Sequence, residues 1–204
     1  METAITEKLR YSWLNFQNRR QYADFQRLFG PVPEDELISL DLETSSLDPD
    51  TNEILEIAAI PVQGRKVFPG KALVLRVQPE KELNPDSVPV HQIRGKDLEN
   101  ALQPKDALEQ LLSFIGRRPL VGYNIRFDQK ILSRYCQTYF GFKLPNAIRE
   151  LSHRYYRKKL HSQPEHITDL RFEKICEDLD IPVLERHTAK GDALTVALAW
   201  LKMM

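Results

Sequence analysis

The spacing of hydrophobic positions changes near residue 33, and this change divides the chain into two parts. Over residues 4–29, aromatic and aliphatic side chains such as Trp13 and Phe16 recur every three or four positions among polar residues. That spacing predicts an amphipathic helix, which the following Gly-Pro-Val-Pro would end. We therefore expect an N-terminal helical extension over residues 1–33 and a single domain over residues 34–204. The aromatic face of the extension would pack on that domain or dock a partner.

Beyond the boundary, strands come first and helices follow. Three apolar runs predict an antiparallel meander of strands over residues 37–42, 54–62 and 71–77. A shorter buried strand is predicted at residues 120–123. The helical pattern returns five times, at about residues 105–116, 124–140, 150–158, 168–179 and 189–202. This order predicts an α/β fold built on a mixed sheet.

Composition adds limits to this picture. The 204 residues are 42% hydrophobic and 28% charged, which excludes disordered and collagen-like classes. No apolar run approaches the roughly 18 residues of a membrane span, and the first ten residues lack the layout of a secretory signal. Cys136 and Cys176 lack metal-ligand spacing and cannot form a disulfide framework. We expect a soluble protein of a reducing compartment, the bacterial cytoplasm, with no membrane contact.

The charges balance, with 29 Lys and Arg residues against 29 Asp and Glu residues. Proteins that hold nucleic acid only by bulk charge are usually basic, so the balance argues against a passive binder. It leaves room for an enzyme whose carboxylates hold metal ions. The one basic and aromatic cluster, residues 149–159, would track a single strand of nucleic acid or be a solvated helix face.

Carboxylates interrupt apolar structure at three places, and the first is the predicted strand ISLDLET. Asp41 and Glu43 stand two positions apart, so a strand puts them on one face, about 6.5–7 Å apart along its length. Two acids placed there repel each other and lose hydration unless a cation neutralises them. The pattern indicates either a metal site or two acids just past the strand end that face solvent.

The second and third places are the starts of two predicted helices. Asp128 follows the predicted N-cap Asn124, where it would complement the helix dipole or join the other acids. Asp192 would face inward from the first turns of the last helix, and His187 precedes it by five residues on a glycine-containing loop. Because histidine titrates near neutrality, His187 suits a base that takes a proton from water. The same residue would otherwise be a structural cap of the last helix.

The order Asp-X-Glu, Asn-X-X-Phe-Asp and His-X4-Asp resembles the DEDDh branch of the DnaQ-like 3′–5′ exonucleases. The resemblance extends over about residues 36–202 and includes LDLETSSLDPDTNEILEIAAIPV, VPVHQI and LVGYNIRFDQKIL. It implies an RNase H-like fold, with a mixed five-stranded sheet flanked by helices. Within the family, the chain most resembles the proofreading subunits of bacterial replicative polymerases.

The resemblance also implies a role for each motif residue. Two divalent ions per active site would be bound by four carboxylates, those of Asp41, Glu43, Asp128 and Asp192. Oxygen ligands of this kind suit Mg²⁺ or Mn²⁺. His187 would be the general base. The terminal nucleotide would contact three further residues, Thr44, Leu47 and Asn124.

Three departures from the family pattern concern the substrate and not the ligand set. Ser45 and Ser46 precede Leu47 where the family commonly has Thr-Gly, and Tyr123 takes a place that histidine often has. The segment around Glu150 lacks the Asp-Thr often found there.

The function implied is hydrolysis of 3′ ends of single-stranded or frayed DNA to nucleoside monophosphates, in proofreading or repair, with a DNA polymerase as candidate partner. The same chemistry on small RNAs is the alternative, and the oligoribonuclease branch typically has Met in place of Thr44, which favours DNA. A non-catalytic scaffold of a polymerase complex is the other class. Four mutually repelling acids argue against that scaffold.

Overall fold

The computed structural model describes residues 23–80, 93–162 and 168–204. Most of the predicted N-terminal extension, residues 1–22, lies outside this range, so the boundary near residue 33 stays a prediction. The last residues of the extension, Ala23–Leu28, form a 3-10 helix with a kink at Phe25.

An antiparallel meander forms one half of the sheet, as predicted. Strands β1 (Glu36–Thr44) and β2 (Ile54–Gln63) pair along almost their whole length. The outer edge of β2 pairs with two short strands, β3 (Lys66–Val67) at one end and β4 (Leu73–Arg76) at the other. The two-residue β3 was not predicted, because two residues carry no periodicity.

A parallel half completes the sheet on the other side of β1. Strand β5 (Leu120–Gly122) runs parallel to β1, and β6 (Ile148–Glu150) runs parallel to β5. The order across the sheet is β3-β2-β1-β5-β6, with β4 beside β3 on the edge of β2. Six strands therefore occupy five positions, which agrees with the expected mixed five-stranded sheet and fold class.

Within the described residues, five α-helices flank the sheet, and their bounds are α1 (Pro104–Ile115), α2 (Ile125–Phe140), α3 (Leu151–Ser162), α4 (Phe172–Asp178) and α5 (Ala189–Lys202). Short 3-10 turns lie at Pro69–Lys71 and Gly95–Asp97. Helix α4 begins later than predicted. Just before it, the Asp169 carboxylate accepts a hydrogen bond from the Arg171 backbone N–H, at 3.0 Å, and forms a turn instead of helix. Among the described helices, none is both long and apolar enough to cross a membrane.

Strand β1 separates two hydrophobic layers. Ile38, Leu40 and Leu42 belong to the core that packs under α1 and α2. Ser39 points the opposite way, since its hydroxyl donates a 2.7 Å hydrogen bond to the Ala193 carbonyl of α5. The period of two then directs the side chains that follow Ser39, those of Asp41 and Glu43, toward the start of α5.

The end of the predicted extension packs against its own domain over the described residues. Phe25, Leu28 and Phe29 are buried in the core under α1 and α2. The Phe25 and Phe140 rings meet edge to face with centroids 5.2 Å apart, and Phe29 contacts Phe142 in the same way at 5.3 Å. The side chains of Phe25, Leu28 and Phe29 are therefore not available to dock a partner.

Leu28 offers a test of this packing, because its side chain is fully buried. Leu28→Ala should lower the free energy of unfolding by about 2–5 kcal/mol, through lost burial and the cavity left behind. Urea denaturation followed by circular dichroism would measure it. Leu47→Ala is the matched control, because Leu47 is 87% exposed and should lose almost no stability. Equal stability of the two variants would contradict the packing.

Candidate active site

Three carboxylates converge where the carboxyl end of β1 meets the start of α5. Asp41 and Glu43 lie on the α5 side of β1, and Asp192 lies in the first turn of α5. One carboxylate oxygen from each lies within 4.8 Å of the others. Asp192 is buried, and the two strand acids are half-buried. We call Asp41, Glu43 and Asp192 the acid cluster.

Asp128, the fourth acid, approaches the cluster from α2. Its Oδ1 accepts a 3.1 Å hydrogen bond from the backbone N–H of Leu42, the residue between the two strand acids. Burial and the charges of Asp128 and Asp192 raise the pKa of Asp41 well above its usual range. The structure thus brings the four acids of the three motifs to one edge of the sheet.

Helix α2 is held at that edge by Glu150, the last residue of β6. The Glu150 carboxylate accepts hydrogen bonds from the Asn124 and Ile125 backbone N–H groups, at 3.1 and 3.0 Å. Asn124 stands at the predicted N-cap position, but its backbone is left-handed, with φ of 56°, and its side chain makes no capping bond. The capping function predicted for Asn124 is therefore performed by Glu150, in the segment that departs from the family's Asp-Thr.

A close approach between a loop and α5 brings His187 to the cluster. A Cβ on Gly191 would lie 2.4 Å from the backbone oxygens of Leu184 and Glu185, so only glycine lets this loop lie on the helix. The N-cap of α5 is Thr188, whose hydroxyl oxygen accepts from the Gly191 N–H at 3.1 Å. His187 is therefore not the helix cap.

His187 itself is exposed and has a left-handed backbone, with φ of 63°. Its backbone N–H donates to Asp192 Oδ2 at 3.3 Å. The same oxygen accepts a 2.7 Å bond from Arg186 Nη1. Non-glycine residues in this conformation are uncommon and cluster at functional sites, which draws attention to His187 independently of its motif.

The pKa values of the site are set by burial of the carboxyl groups and by the like charges close to them. Burial and the charges of Asp192 and Glu56 raise the pKa of Glu43 to about 7. Burial raises the pKa of Asp128 to about 8, against the opposing effect of the Leu42 N–H. Burial also raises the pKa of Asp192, although the Arg186 guanidinium acts against it. All four acids are thus harder to ionise than ordinary carboxyls.

The arrangement fits a bound divalent cation. Asp192 Oδ1 is buried and has no hydrogen-bond partner in the described part of the chain. Burying an unpaired oxygen costs free energy unless a bound ligand, such as a cation, contacts it. The donor atoms are all carboxylate oxygens, and such ligands suit hard ions such as Mg²⁺ and Mn²⁺ better than they suit softer metal ions. A cation would also remove the repulsion within the acid cluster.

An open cleft of about 490 Å³ borders the carboxyl ends of β1, β5 and β6. Apolar groups on its wall include Phe127 and the exposed Leu47, and the full lining is Leu47, Asn124, Arg126, Phe127, Glu150, Ser152 and His153. Leu47 and Asn124, two of the three predicted substrate contacts, share this wall. Thr44 is absent from the lining, and its hydroxyl donates to the Ser46 carbonyl at 2.9 Å.

The basic and aromatic cluster of residues 149–159 divides into two sets. Tyr155 is buried and bonds to Asp178, Lys159 pairs with Asp178 at 2.9 Å, and Arg154 stacks on Trp200 at 4.4 Å. These side chains serve the packing of α3. The exposed remainder comprises Arg149, His153, Tyr156, Arg157 and Lys158.

Two residues of the site were missed by the sequence analysis. Glu56 lies opposite Glu43 in the β1–β2 register, is buried, and pairs with Arg76 at 3.6 Å. An acid inside the apolar run ILEIAAIPV was a visible signal for it. Arg186 had no comparable signal, because its contacts depend on how the loop before α5 lies on the helix.

Comparison with known proteins identifies relatives with the same fold. A family model described as an exonuclease, RNase T, matches residues 38–199. A PolC-type DNA polymerase III of Thermotoga maritima is 26% identical over 168 residues, and an oligoribonuclease of Sodalis glossinidius is 27% identical over 168 residues. The epsilon subunit of DNA polymerase III of Rickettsia prowazekii is 34% identical over 97 residues. The resemblance to DnaQ-like exonucleases is confirmed.

The coverage differs among these relatives. The PolC match takes in 82% of this chain but only 12% of the polymerase, and the epsilon match takes in 47% and 42%. The oligoribonuclease match takes in 74% of this chain and 89% of that enzyme. Escherichia coli exonuclease I in complex with a dT13 oligonucleotide superimposes with a TM-score of 0.68 at 18% identity, over 82% of this chain and 40% of that one.

The raised pKa values determine how stability depends on pH. Between the ordinary carboxyl pKa near 4 and the values of about 7 for Glu43 and about 8 for Asp128, the folded protein binds more protons than the unfolded chain. Stability therefore falls as pH rises through this window.

We expect the melting temperature of the metal-stripped protein to fall from about pH 5 to about pH 8. Asp128→Asn should make the fall shallower, because it removes one raised carboxyl and one charge facing Asp41. Glu99→Gln, at an exposed position outside the cluster, should leave the slope unchanged. Differential scanning fluorimetry at constant ionic strength would measure all three proteins. A melting temperature that rises across the window would refute this account.

Proposed function

The chain belongs to the exonuclease family, and we propose that it is a 3′–5′ exonuclease that removes nucleoside monophosphates from single-stranded or frayed 3′ ends. Its preferred substrate is DNA, and its activity depends on two Mg²⁺ or Mn²⁺ ions. The single observation that carries the proposal is the convergence of three carboxylates within 4.8 Å, with Asp128 beside them. A scaffold with no chemistry to perform would gain nothing from this repulsion.

The four carboxylates of Asp41, Glu43, Asp128 and Asp192 would hold the ions. When bound, the ions would polarise the scissile phosphate, favour ionisation of the attacking water and neutralise the leaving 3′ oxygen. Asp41 lies between Glu43 and Asp192 in the cluster and Asp128 across Leu42, so its carboxylate would help to hold both ions. The Leu42 N–H bond would orient the Asp128 carboxylate for its share of the site.

His187 would take a proton from the attacking water at an imidazole nitrogen. The His187 backbone N–H donates to Asp192 Oδ2, which holds the residue beside the cluster. Its side chain is exposed, so the imidazole is accessible to a substrate bound there. Thr188 supplies the helix cap, which leaves His187 without a need to serve as one.

The terminal nucleotides would lie in the cleft. Leu47 would contact the last base, and Asn124 the sugar or phosphate near it. Arg126 and His153 line the same cleft, where cations suit phosphate and rings suit base stacking. Arg149 and Arg157, exposed on the strand and helix beside it, extend the positive surface away from the acids.

An exoribonuclease is the second candidate, and the extent of the relatives' matches favours it. The oligoribonuclease is matched over 89% of its length, whereas only parts of the polymerase relatives are matched. DNA stays the first proposal because Thr44 replaces the Met typical of that branch. A DNA polymerase as partner, a bacterial cytoplasmic location and a domain over residues 34–204 belong to the same proposal.

Asp41→Asn should abolish cleavage, because it removes the central carboxylate while keeping the side-chain shape. The melting temperature without metal should stay equal or rise, since repulsion is relieved. End-labelled DNA and RNA of one sequence, incubated with Mg²⁺, Mn²⁺ or chelator, would measure activity and preference together. Undiminished cleavage by the variant would refute the assignment of the active site. Faster cleavage of RNA than of DNA would favour the exoribonuclease over the DNA exonuclease.

His187→Asn should lower turnover by about 10²–10⁴-fold, the range typical of general-base catalysis. Asparagine tolerates the left-handed backbone, so the fold should melt at the temperature of the natural protein. Raising the pH should partly restore the variant as hydroxide replaces the base. Single-turnover cleavage measured against pH, beside thermal melts, tests this. A variant with an early melt and a natural cleavage rate would make the histidine structural.

A further inference from the structure

The guanidinium of Arg186 lies between two carboxylates of different surroundings. Its Nη1 contacts Asp192 Oδ2 at 2.7 Å, and its Nη2 contacts Glu173 Oε1 at 2.9 Å. The Arg186 Nε also donates to Glu173, at 3.2 Å, and the group stacks over the Phe172 ring at 4.8 Å. Among the residues that the structure describes, no other cation forms an ion pair with the acid cluster.

Glu173 and Asp192 hold the Arg186 guanidinium with unequal numbers of contacts. Glu173 and Phe172 belong to α4 and lie outside the cluster, and together they supply two hydrogen bonds and a ring face. Asp192 supplies one oxygen, which it shares with the His187 N–H. The Arg186 side chain is 34% exposed. It can therefore release Asp192 and keep its α4 contacts without burying an unpaired charge.

We propose that Arg186 is the resident counter-cation of the acid cluster. It neutralises Asp192 in the metal-free protein and yields that carboxylate when a divalent ion binds, remaining on Glu173 and Phe172. This inference rests on the proposed metal-binding function. The guanidinium holds Asp192 Oδ2, whereas Asp192 Oδ1 has no partner among the described residues and is open to a divalent ion. Two cations on the two oxygens of one carboxylate lie close enough to repel each other strongly, so they compete for Asp192.

The competition has a consequence for His187. Arg186 and His187 are consecutive, and both are tied to the same oxygen of Asp192. An ion that displaces the arginine from Asp192 thus acts directly on the segment that carries the proposed base. Arg186 is in this sense a positioning residue that links ion binding to the placement of His187.

Calorimetric titration of the metal-stripped protein with Mn²⁺ tests the competition directly. Arg186→Gln should bind Mn²⁺ about tenfold more tightly than the natural protein, because no charge-assisted hydrogen bond has to be broken first. Without metal, the same variant should melt about 3–6 °C lower, because Asp192 loses its partner. The melting difference should shrink at saturating Mn²⁺.

Two further variants separate the contact from a general charge effect. Arg186→Lys keeps a cation in reach of Asp192 and should restore both the melting temperature and the natural affinity in large part. Arg171→Gln removes an exposed arginine that pairs with Asp169 away from the cluster, and it should change neither value.

Three outcomes would overturn the inference. These are unchanged Mn²⁺ affinity in Arg186→Gln, weaker affinity in that variant, or equal melting of it and the natural protein without metal. Absence of Mn²⁺ binding by the natural protein and by every variant would instead refute the proposed metal-dependent function. The metal-free melts would then still decide whether Arg186 neutralises the cluster, so the two failures are distinguishable.

Discussion

Repulsion among carboxylates at one edge of the sheet is the constraint on which the rest of the structure depends. One carboxylate oxygen each of Asp41, Glu43 and Asp192 lies within 4.8 Å of the others, and Asp128 adds a fourth carboxyl group across the Leu42 backbone. Burial raises the cost of ionising each group. Such a cluster forms only if the surrounding fold holds its members firmly, so the packing of the strand and helix ends here has to outweigh the local electrostatic repulsion.

The fold meets this cost with backbone contacts of high specificity. Glu150 fixes the start of the helix that carries Asp128, and the absence of a side chain at Gly191 lets the loop before α5 lie on that helix. Arg186 then supplies a positive charge from outside the cluster. The same contacts that stabilise the metal-free site determine where an ion, a water molecule and a 3′ end would lie.

The sequence predicted the parts of this site that depend on periodicity and left out those that depend on loop conformation. A period of two placed Asp41 and Glu43 on one face, and apolar runs located β1, β2 and most helices. The three-residue β6 carries too little pattern, and it supplies Glu150, which performs the capping predicted for Asn124. The role of Arg186 follows from a left-handed turn and a close contact, neither of which leaves a mark in residue spacing.

Choice between DNA and RNA has to lie outside the acid cluster. Carboxylates and ions act on the phosphodiester, which is common to both nucleic acids, so they cannot distinguish the two sugars. The cleft wall at Leu47, Asn124 and His153 adjoins the place where the sugar and base would lie. Because Thr44 bonds to the turn at Ser46 rather than lining the cleft, its influence on the sugar would be exerted through the position of Leu47. Under the proposed function, specificity would therefore depend on how that short turn after β1 is held.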